Sequence, residues 1–205
     1  MRFADTLVRL FKWAESKGTI GHNDKYAKQF AAFGEGSALV FPPGSGFGEK
    51  FIRIGDHTLI GAYVTLSAGL LGEELNTPTG WSLRFGNNCN IGRDSFFISR
   101  NCIDVGDDVT MAPNVYVTDH NHRYDNPDLP IKQQWMSEAP VTIGSGSWLG
   151  TGVVILPGAH LGRNTVVAAG SVVIAGQYPD HAVIAGVPAK VVRRQVDGAW
   201  QPPLK

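Results

Sequence analysis

A repeat of six residues is the feature that most limits how this chain can fold. It is clearest from Ile143, where successive units read IGSGSW, LGTGVV, ILPGAH, LGRNTV, VAAGSV and VIAGQY. Each unit opens with an aliphatic or aromatic residue, and a small residue, most often Gly, usually follows. Earlier stretches from Ile54, Phe85 and Val105 follow the same pattern. A period of six fits neither an α-helix, which repeats every 3.6 residues, nor a simple alternating strand.

The fifth place of the unit is restricted as well. Two inward positions per unit describe a short strand followed by a turn, and three such strands close a triangular coil of 18 residues. Stacked coils of this kind form a parallel β-solenoid, in which each strand pairs with its equivalent in the next coil. The openers predict about five coils. Small or β-branched residues occupy the fifth place at Thr58, Val64, Val109, Val115, Ser147, Val153, Ala159, Thr165 and Ser171.

Three breaks in the repeat predict where the chain leaves the coils. The two longer breaks fall at 70–84 and 118–142, and a smaller irregularity lies near the sequence SRNC. Insertions in a solenoid project from the coils and often carry the binding function. We therefore predict a cap or helical segment at 1–50, the solenoid at 51–178 and a C-terminal segment at 179–205.

The N-terminal residues predict a short amphipathic helix. We expect it to pack on its own domain or on a neighbouring subunit, with a membrane-surface helix as the alternative. The segment lacks the features of a signal peptide, and no run of about 18 apolar residues predicts a membrane span. The helical spacing is carried by Phe3, Leu7, Leu10, Phe11 and Ala14, with Arg2, Arg9 and Lys12 among them.

Charge and cysteine content exclude some classes of partner. Lys and Arg together number 18, as do Asp and Glu, so the formal net charge is zero and no basic field predicts nucleic-acid binding. The two cysteines, Cys89 and Cys102, lack metal-type spacing. Both are interpreted as small buried residues of a protein in a reducing environment, and we expect a cytoplasmic location.

Two further stretches carry a resemblance to a known family. The run IGSGSWLGTGVVILPG followed by IAGVPAKVVRR resembles the hexapeptide-repeat acyltransferases, and the similarity covers residues 52–194. It is greatest to the O-acetyltransferases related to maltose and galactoside acetyltransferases and to those that decorate bacterial surface polysaccharides. The resemblance implies a left-handed parallel β-helix, a homotrimer with active sites between subunits, and acetyl-CoA as the acyl donor. General connection rules alone would predict a right-handed coil.

The resemblance also implies a catalytic histidine in a Thr-x-His pattern just before the long loop. Here that pattern is Thr118-Asp119-His120. A sugar hydroxyl is a weak nucleophile, so it needs a positioned base as it attacks a thioester, and an imidazole suits this role. Neither cysteine sits in a motif that suggests an acyl-enzyme, so we predict direct transfer with His120 as general base.

Four other residues are predicted to bind the acceptor. His122 follows the catalytic candidate on the excursion, and Asp119 either orients the imidazole or lines the acceptor pocket. Asn101 lies on the preceding rung, where family members often place an Asn facing the histidine. Trp148 ends a unit at an outward position, where the family places a tryptophan beside the active site. The acceptor itself is predicted only as a sugar or a surface-polysaccharide precursor.

Five residues are predicted to bind coenzyme A. Gly150 and Thr151 begin a turn whose backbone binds pantetheine amides in related enzymes, and Ala169 falls in the same column one coil later. Lys190 and Arg193 belong to a dense cationic cluster that suits the CoA phosphates. Relatives commonly carry a Thr-Lys pair after the last coils, whereas the corresponding VIAGQYPDH lacks lysine. This departure places more of the nucleotide contact on the cationic cluster.

Two rival functions remain open on the sequence. A zinc enzyme like the γ-class carbonic anhydrases would need three histidine ligands, and the chain offers His120 and His122 together, with His57 and His160 elsewhere. No metal is expected on this pattern. A non-enzymatic solenoid scaffold is the other rival, and it should keep its coils uninterrupted.

Overall fold

The computed structural model of this chain describes residues 2–70, 75 and 77–202. Within these ranges a single α-helix, α1 (Phe3–Gly18), precedes a long series of short strands. Short 3₁₀ turns lie at Ala27–Gln29, Glu49–Phe51 and Ile131–Gln133. No helix in this part of the chain is long and apolar enough to cross a bilayer.

The strands are short because each side of a coil spans only a few residues between turns. In chain order they are β1 (Ile20–Gly21), β2 (Ala32–Phe33), β3 (Ala38–Leu39), β4 (Gly46–Phe47), β5 (Ile52–Ile54), β6 (Leu59–Ile60), β7 (Thr65–Ala68), β8 (Leu83–Phe85), β9 (Asn90–Ile91), β10 (Phe96–Ser99), β11 (Ile103–Val105), β12 (Thr110–Met111), β13 (Tyr116–Thr118), β14 (His120–His122), β15 (Met136–Glu138), β16 (Val141–Ile143), β17 (Trp148–Leu149), β18 (Val154–Ile155), β19 (Ala159–Leu161), β20 (Val166–Val167), β21 (Val172–Val173), β22 (Gly176–Tyr178), β23 (Ala182–Gly186), β24 (Ala189–Val196) and β25 (Ala199–Gln201).

Three largely parallel sheets form the sides of the solenoid. Sheet A has the order β1-β3-β6-β9-β12-β17-β20-β23-β24-β25, sheet B the order β2-β5-β8-β11-β16-β19-β22, and sheet C the order β4-β7-β10-β13-β18-β21. The chain visits B, then A, then C in each turn. In the uninterrupted coils the pairs are 18 residues apart, as the sequence predicts: Thr142 with His160 and Trp148 with Val166.

The core fills the space between the three sheets, and the hexad pattern predicts it correctly. All the fifth-place residues named from the sequence are buried, as are the openers Ile54, Phe85, Val105 and Ile143. Fully burying an opener such as Ile54 or Phe85 contributes about 1.5–3 kcal/mol. Phe85 also packs edge-on against Phe97, with ring centroids 4.8 Å apart.

The second and fourth places of the hexad are set by the turns between sheets. A Cβ on Gly144 would lie 2.5 Å from the Gly162 carbonyl carbon in the next coil, so only glycine fits there. The fourth place adopts the left-handed conformation, with φ of 72° at Gly146 and 50° at Asn164. Gly and Asn tolerate this conformation better than other residues, which explains why they recur.

The parallel stack begins before the predicted boundary at residue 50. Strands β2, β3 and β4 pair in parallel with β5, β6 and β7, so much of 1–50 belongs to the solenoid. The repeat was missed here because the place equivalent to the opener Leu66 is held by Gly46, which follows Leu39 by seven residues instead of six. Pro42 and Pro43 lie in this longer turn.

A long excursion and a shorter one interrupt the coils, between β13 and β16 and between β7 and β8. The longer one carries an antiparallel hairpin of β14 and β15, which rises from the corner between sheets C and B. The predicted loop at 70–84 lies partly outside the described residues. At the other end of the chain, β24 and β25 fold back antiparallel on β23 and extend sheet A.

Candidate active site

His120 lies at the corner where the chain leaves sheet C for the hairpin. Strand β13 ends at Thr118, and β14 begins at His120, so only Asp119 separates a buried strand from the excursion. The His120 side chain is 12% exposed. The corner thus holds the imidazole firmly while leaving a small part of it accessible.

Asp119 supports the histidine from behind. Its side chain is 0% exposed, and its Oδ1 lies 2.9 Å from His120 Nδ1. A carboxylate can only accept a hydrogen bond, so the pairing favours a proton on Nδ1 and leaves Nε2 as the acceptor. Of the two roles that the sequence left open for Asp119, this contact and this burial favour orienting the imidazole over lining the acceptor pocket.

The preceding coil supplies the bonds that a buried carboxylate needs. The backbone N–H of Arg100 donates to Asp119 Oδ1 at 2.8 Å, and that of Asn101 donates to Oδ2 at 2.8 Å. Ser99 Oγ lies 2.9 Å from Oδ2. Burying a charged group without such partners would be strongly unfavourable, so these bonds make the arrangement stable.

Arg100 and Glu138 fix the hairpin to this corner. Arg100 Nη1 lies 2.5 Å from Glu138 Oε1, and the arginine side chain is 8% exposed. The guanidinium also sits 4.9 Å from the Trp135 ring centroid. Sequence reasoning missed this contact because its partners are separated by 38 positions. The sequence signal that could have indicated this contact is Arg100 itself, which precedes Asn101 at an irregularity of the repeat.

Asn101 and His122 both lie near this corner. Strand β10 pairs with β13 so that Ile98 faces Thr118, which brings Asn101 to the same corner as His120. The Asn101 residue is exposed. His122 is also exposed and faces Met136 across the hairpin. The structure therefore brings both predicted acceptor residues into the neighbourhood of the imidazole.

Potential metal ligands and thiols do not form a centre around this corner. Within the described ranges, no group of three or more His, Cys, Asp or Glu residues is arranged to hold a metal ion. Both cysteines are free, and Cys89 is buried while Cys102 is partly buried. Burial raises the pKa of the Cys102 thiol, and nearby Asp104 and Asp119 raise it further. A raised pKa disfavours the nucleophilic thiolate.

Trp148 lies on sheet A, away from the corner that holds His120. Its side chain is 53% exposed, and it points outward beside the buried Leu149. Strand pairing places Trp148, Val166, Val183 and Arg193 in one row across the sheet. Because sheet A is opposite the corner between sheets B and C, a single chain does not bring Trp148 to the histidine.

The residues predicted to bind CoA fall into two places on or beside sheet A. Gly150 and Ala169 stack at the turn from sheet A to sheet C, where a Cβ on Gly150 would lie 2.6 Å from Ala169 N. Thr151 in the same turn donates its hydroxyl to the Pro113 carbonyl at 2.7 Å. Lys190 and Arg193 lie on β24 at the end of sheet A.

Comparison with known proteins agrees with this architecture. The family model described as bacterial transferase hexapeptide (six repeats) matches residues 140–175, and the hexapeptide repeat of succinyl-transferase matches residues 83–119. A Mycobacterium tuberculosis protein named as a probable acetyltransferase is 41% identical over 114 residues, which cover 56% of this chain and 38% of that protein. The galactoside O-acetyltransferase of Escherichia coli is 36% identical over 115 residues, covering 53% of this chain and 55% of that enzyme.

A solved structure shows the same fold. The hexapeptide-repeat-containing acetyltransferase of Vibrio cholerae O1 biovar eltor, complexed with acetyl coenzyme A, aligns with a TM-score of 0.53 at 27% identity. The alignment covers 83% of this chain and 74% of that chain. The first curated relatives are matched over only 38% to 59% of their own length. The predicted resemblance is nevertheless confirmed: this chain carries bacterial transferase hexapeptide repeats and is similar to the hexapeptide-repeat acetyltransferases.

Proposed function

We propose that this protein is an acetyl-CoA-dependent O-acetyltransferase that acts on a sugar or a surface-polysaccharide precursor. The observation that carries the proposal is the imidazole of His120, held by the buried Asp119 at the corner from which the hairpin departs. Similarity to a galactoside O-acetyltransferase supports a hydroxyl acceptor. We expect the enzyme to act in the cytoplasm.

Direct transfer needs one base and one electrophile. His120 Nε2 accepts the proton of the acceptor hydroxyl as its oxygen attacks the thioester carbonyl of acetyl-CoA. The tetrahedral oxyanion collapses, the C–S bond breaks, and the imidazolium gives its proton to the leaving thiolate. Asp119 keeps the ring oriented and stabilises the imidazolium through Nδ1. The products are the acetyl ester and free CoA, and no acyl-enzyme forms.

The remaining predicted residues divide between the two substrates. Asn101 and His122 contact the acceptor, since both are exposed near the imidazole. Gly150, Thr151 and Ala169 form the turns along which pantetheine lies, and small side chains there leave room for it. Lys190 and Arg193 contact the CoA phosphates through charge-assisted hydrogen bonds. They take the place of the Thr-Lys pair that the sequence lacks.

A second copy of the chain completes the site. Within one chain Trp148 and His120 are on different parts of the solenoid, so we propose a homotrimer in which Trp148 of one subunit approaches His120 of its neighbour. The outward side chains of sheet C support this assembly, since Phe96 is 43% and Tyr116 37% exposed. The proposed coil is left-handed, as in the family that the sequence resembles, with five complete turns over residues 51–178 and one earlier turn formed by β2, β3 and β4.

An acetyl-CoA thiol-release assay tests the proposal. We expect release that depends on a hydroxyl acceptor from a panel of free sugars, lipid-linked saccharides and polysaccharides. Replacing His120 with Ala should lower kcat by roughly 10²- to 10⁴-fold while leaving acetyl-CoA affinity nearly unchanged, because the imidazole acts on the acceptor proton. His160→Ala, on the outward side of sheet B, is the matched control and should retain activity.

Near-normal turnover by the His120→Ala variant would remove that residue from the mechanism. Acetyl-CoA binding without transfer to any hydroxyl in the panel would contradict the O-acetyltransferase assignment. A monomer with full activity would contradict the shared site, which size-exclusion chromatography with light scattering measures directly.

A further inference from the structure

The N-terminal helix has an apolar surface that the rest of the described chain does not cover. Helix α1 runs from Phe3 to Gly18, and none of its residues is buried. Apart from its C-terminal end at Gly18, the helix therefore does not pack on its own domain, one of the arrangements that the sequence predicts. The exposed fractions of its large apolar side chains are 78% for Phe3, 49% for Leu7, 54% for Val8, 59% for Leu10, 49% for Phe11 and 61% for Trp13.

The apolar side chains of α1 lie together along one side. At 3.6 residues per turn, Phe3, Leu7, Leu10 and Phe11 fall within an arc of about 100°. Arg9, Lys12, Asp5 and Ser16 lie on the opposite side, and Trp13 lies at the border between them. An apolar stripe edged by Trp and opposed by basic side chains is typical of a helix that lies in a membrane interface.

The size of α1 fits a position on a bilayer and not across it. Its 16 residues rise about 24 Å, less than the hydrocarbon thickness of about 30 Å. Charged residues also recur in every turn. A helix lying flat would bury its apolar side chains at the boundary between headgroups and acyl chains, and its basic side chains would reach the lipid phosphates.

Charge complementarity favours an anionic bilayer as the partner of this helix. From Arg2 to Gly18 the segment has four basic and two acidic residues, whereas the whole chain has a formal net charge of zero. The rest of the chain therefore has 14 basic and 16 acidic residues, a net charge of only −2 spread over its whole surface, whereas an anionic bilayer presents a continuous negative surface to the helix. We propose that α1 binds the surface of membranes containing anionic phospholipids. This proposal stands independently of the acetyltransferase assignment.

The connection between α1 and the solenoid would transmit this binding to the catalytic domain. Only Thr19 separates the helix from β1, and a Cβ on Gly18 would lie 2.3 Å from the Phe41 ring. Thr19 Oγ1 also donates to the Glu15 carbonyl at 3.2 Å. Because the helix end packs against the first strands, the bilayer would hold the solenoid in a defined orientation and not on a flexible tether.

Co-sedimentation of the full chain with lipid vesicles tests the inference. We expect binding to vesicles of phosphatidylcholine with phosphatidylglycerol and much weaker binding to phosphatidylcholine alone. Leu10→Glu and Ser16→Glu add the same charge to opposite sides of α1. The Ser16 variant should lose about fivefold in binding, as expected for one charge near the surface. The Leu10 variant should lose at least about tenfold more, because it also removes apolar burial.

Controls separate membrane binding from misfolding and self-association. Thermal unfolding and acetyl-CoA affinity should match wild type in both variants, since α1 lies outside the proposed site. The inference is overturned if the wild type ignores phosphatidylglycerol vesicles, or if the two variants lose binding equally. It is also overturned if Leu10→Glu alters the oligomeric size by light scattering, because a second copy would then cover the helix.

Discussion

Sheets B and C share the same inward pattern and differ in what they present to the outside. Sheet C presents a mostly apolar row, which pairing aligns as Thr65, Phe96, Tyr116, Val154 and Val172. Sheet B presents a polar row, aligned as Arg53, Arg84, Asp104, Thr142, His160 and Gln177. Two sides of one solenoid therefore carry opposite surface chemistry.

The contrast teaches that the hexad fixes the interior and leaves the outward places free. Closing a coil requires a large apolar opener and a small fifth residue, whichever sheet the unit joins. Outward side chains do not affect this closure, so their polarity can match the surroundings of each sheet. An apolar row suits contact with another subunit, and a polar row suits water.

The strongest test of this contrast replaces two adjacent phenylalanines on β10. Phe97 is 0% exposed and contacts Phe85, whereas Phe96 is 43% exposed on sheet C. Phe97→Ala should lower the free energy of unfolding by about 3–5 kcal/mol through loss of burial and cavity formation. Phe96→Ala should cost far less in the isolated subunit. Chemical denaturation of dilute protein measures both, and equal losses would remove the distinction between interior and outward places.

A second test introduces a charge on each outward row. Tyr116→Arg places an unpaired charge in the subunit contact proposed for sheet C, so it should weaken the trimer. The protein concentration at which half of the trimer dissociates should rise by at least about tenfold. Gln177→Arg makes a comparable change on sheet B and should leave the trimer intact. Light scattering across a dilution series distinguishes them. If only the Gln177→Arg variant dissociates, the subunit contact lies on sheet B and not on sheet C.

The smallest expected effect concerns the turn beside sheet B. The Arg163 backbone N–H donates to Asp180 at 2.8 Å and its guanidinium lies 2.9 Å away, which lowers the pKa of that carboxyl. The bond therefore stabilises the fold above the ordinary pKa of about 3.9 and is lost as pH falls through the folded value. Asp180 is exposed, so the gain is small.

Acid unfolding curves of Asp180→Asn measure this contribution. The variant should show a slightly shallower loss of stability below about pH 4, and it should differ most from wild type near neutrality. Asp128→Asn, in the exposed hairpin loop, is the control for removing one carboxylate. Parallel curves for wild type and both variants would show that the Arg163 contact adds nothing measurable.

The parts of this molecule that follow from local spacing were predictable. Ser147 and Thr165, for example, are buried as their fifth places require, because the period alone decides which side of a short strand faces inward. The same reasoning missed β2 to β4, where a seven-residue spacing and a glycine in an opener place hid the repeat. The sequence predicted His120 just before the long loop, but it indicated only some of the contacts that hold the imidazole in place.

What escaped prediction depends on contacts between coils. The N–H groups of Arg100 and Asn101 converge on Asp119 only after two coils have stacked, and Arg100 meets Glu138 only after the hairpin folds back. No short-range pattern encodes these distances. A histidine in a Thr-x-His motif identifies a candidate base, while the geometry that would make it effective comes from a neighbouring rung.

The bonds to Asp119 also imply an order of assembly. Its partners at Ser99, Arg100 and Asn101 all precede it in the chain, whereas Glu138, which pairs with Arg100, follows it. A chain synthesised from its N-terminus can therefore build the cradle of the carboxylate before the hairpin exists. Truncations that end between residues 122 and 135 should already hold His120 near its final position, and the ionic clasp of the hairpin would be the last part of the site to form.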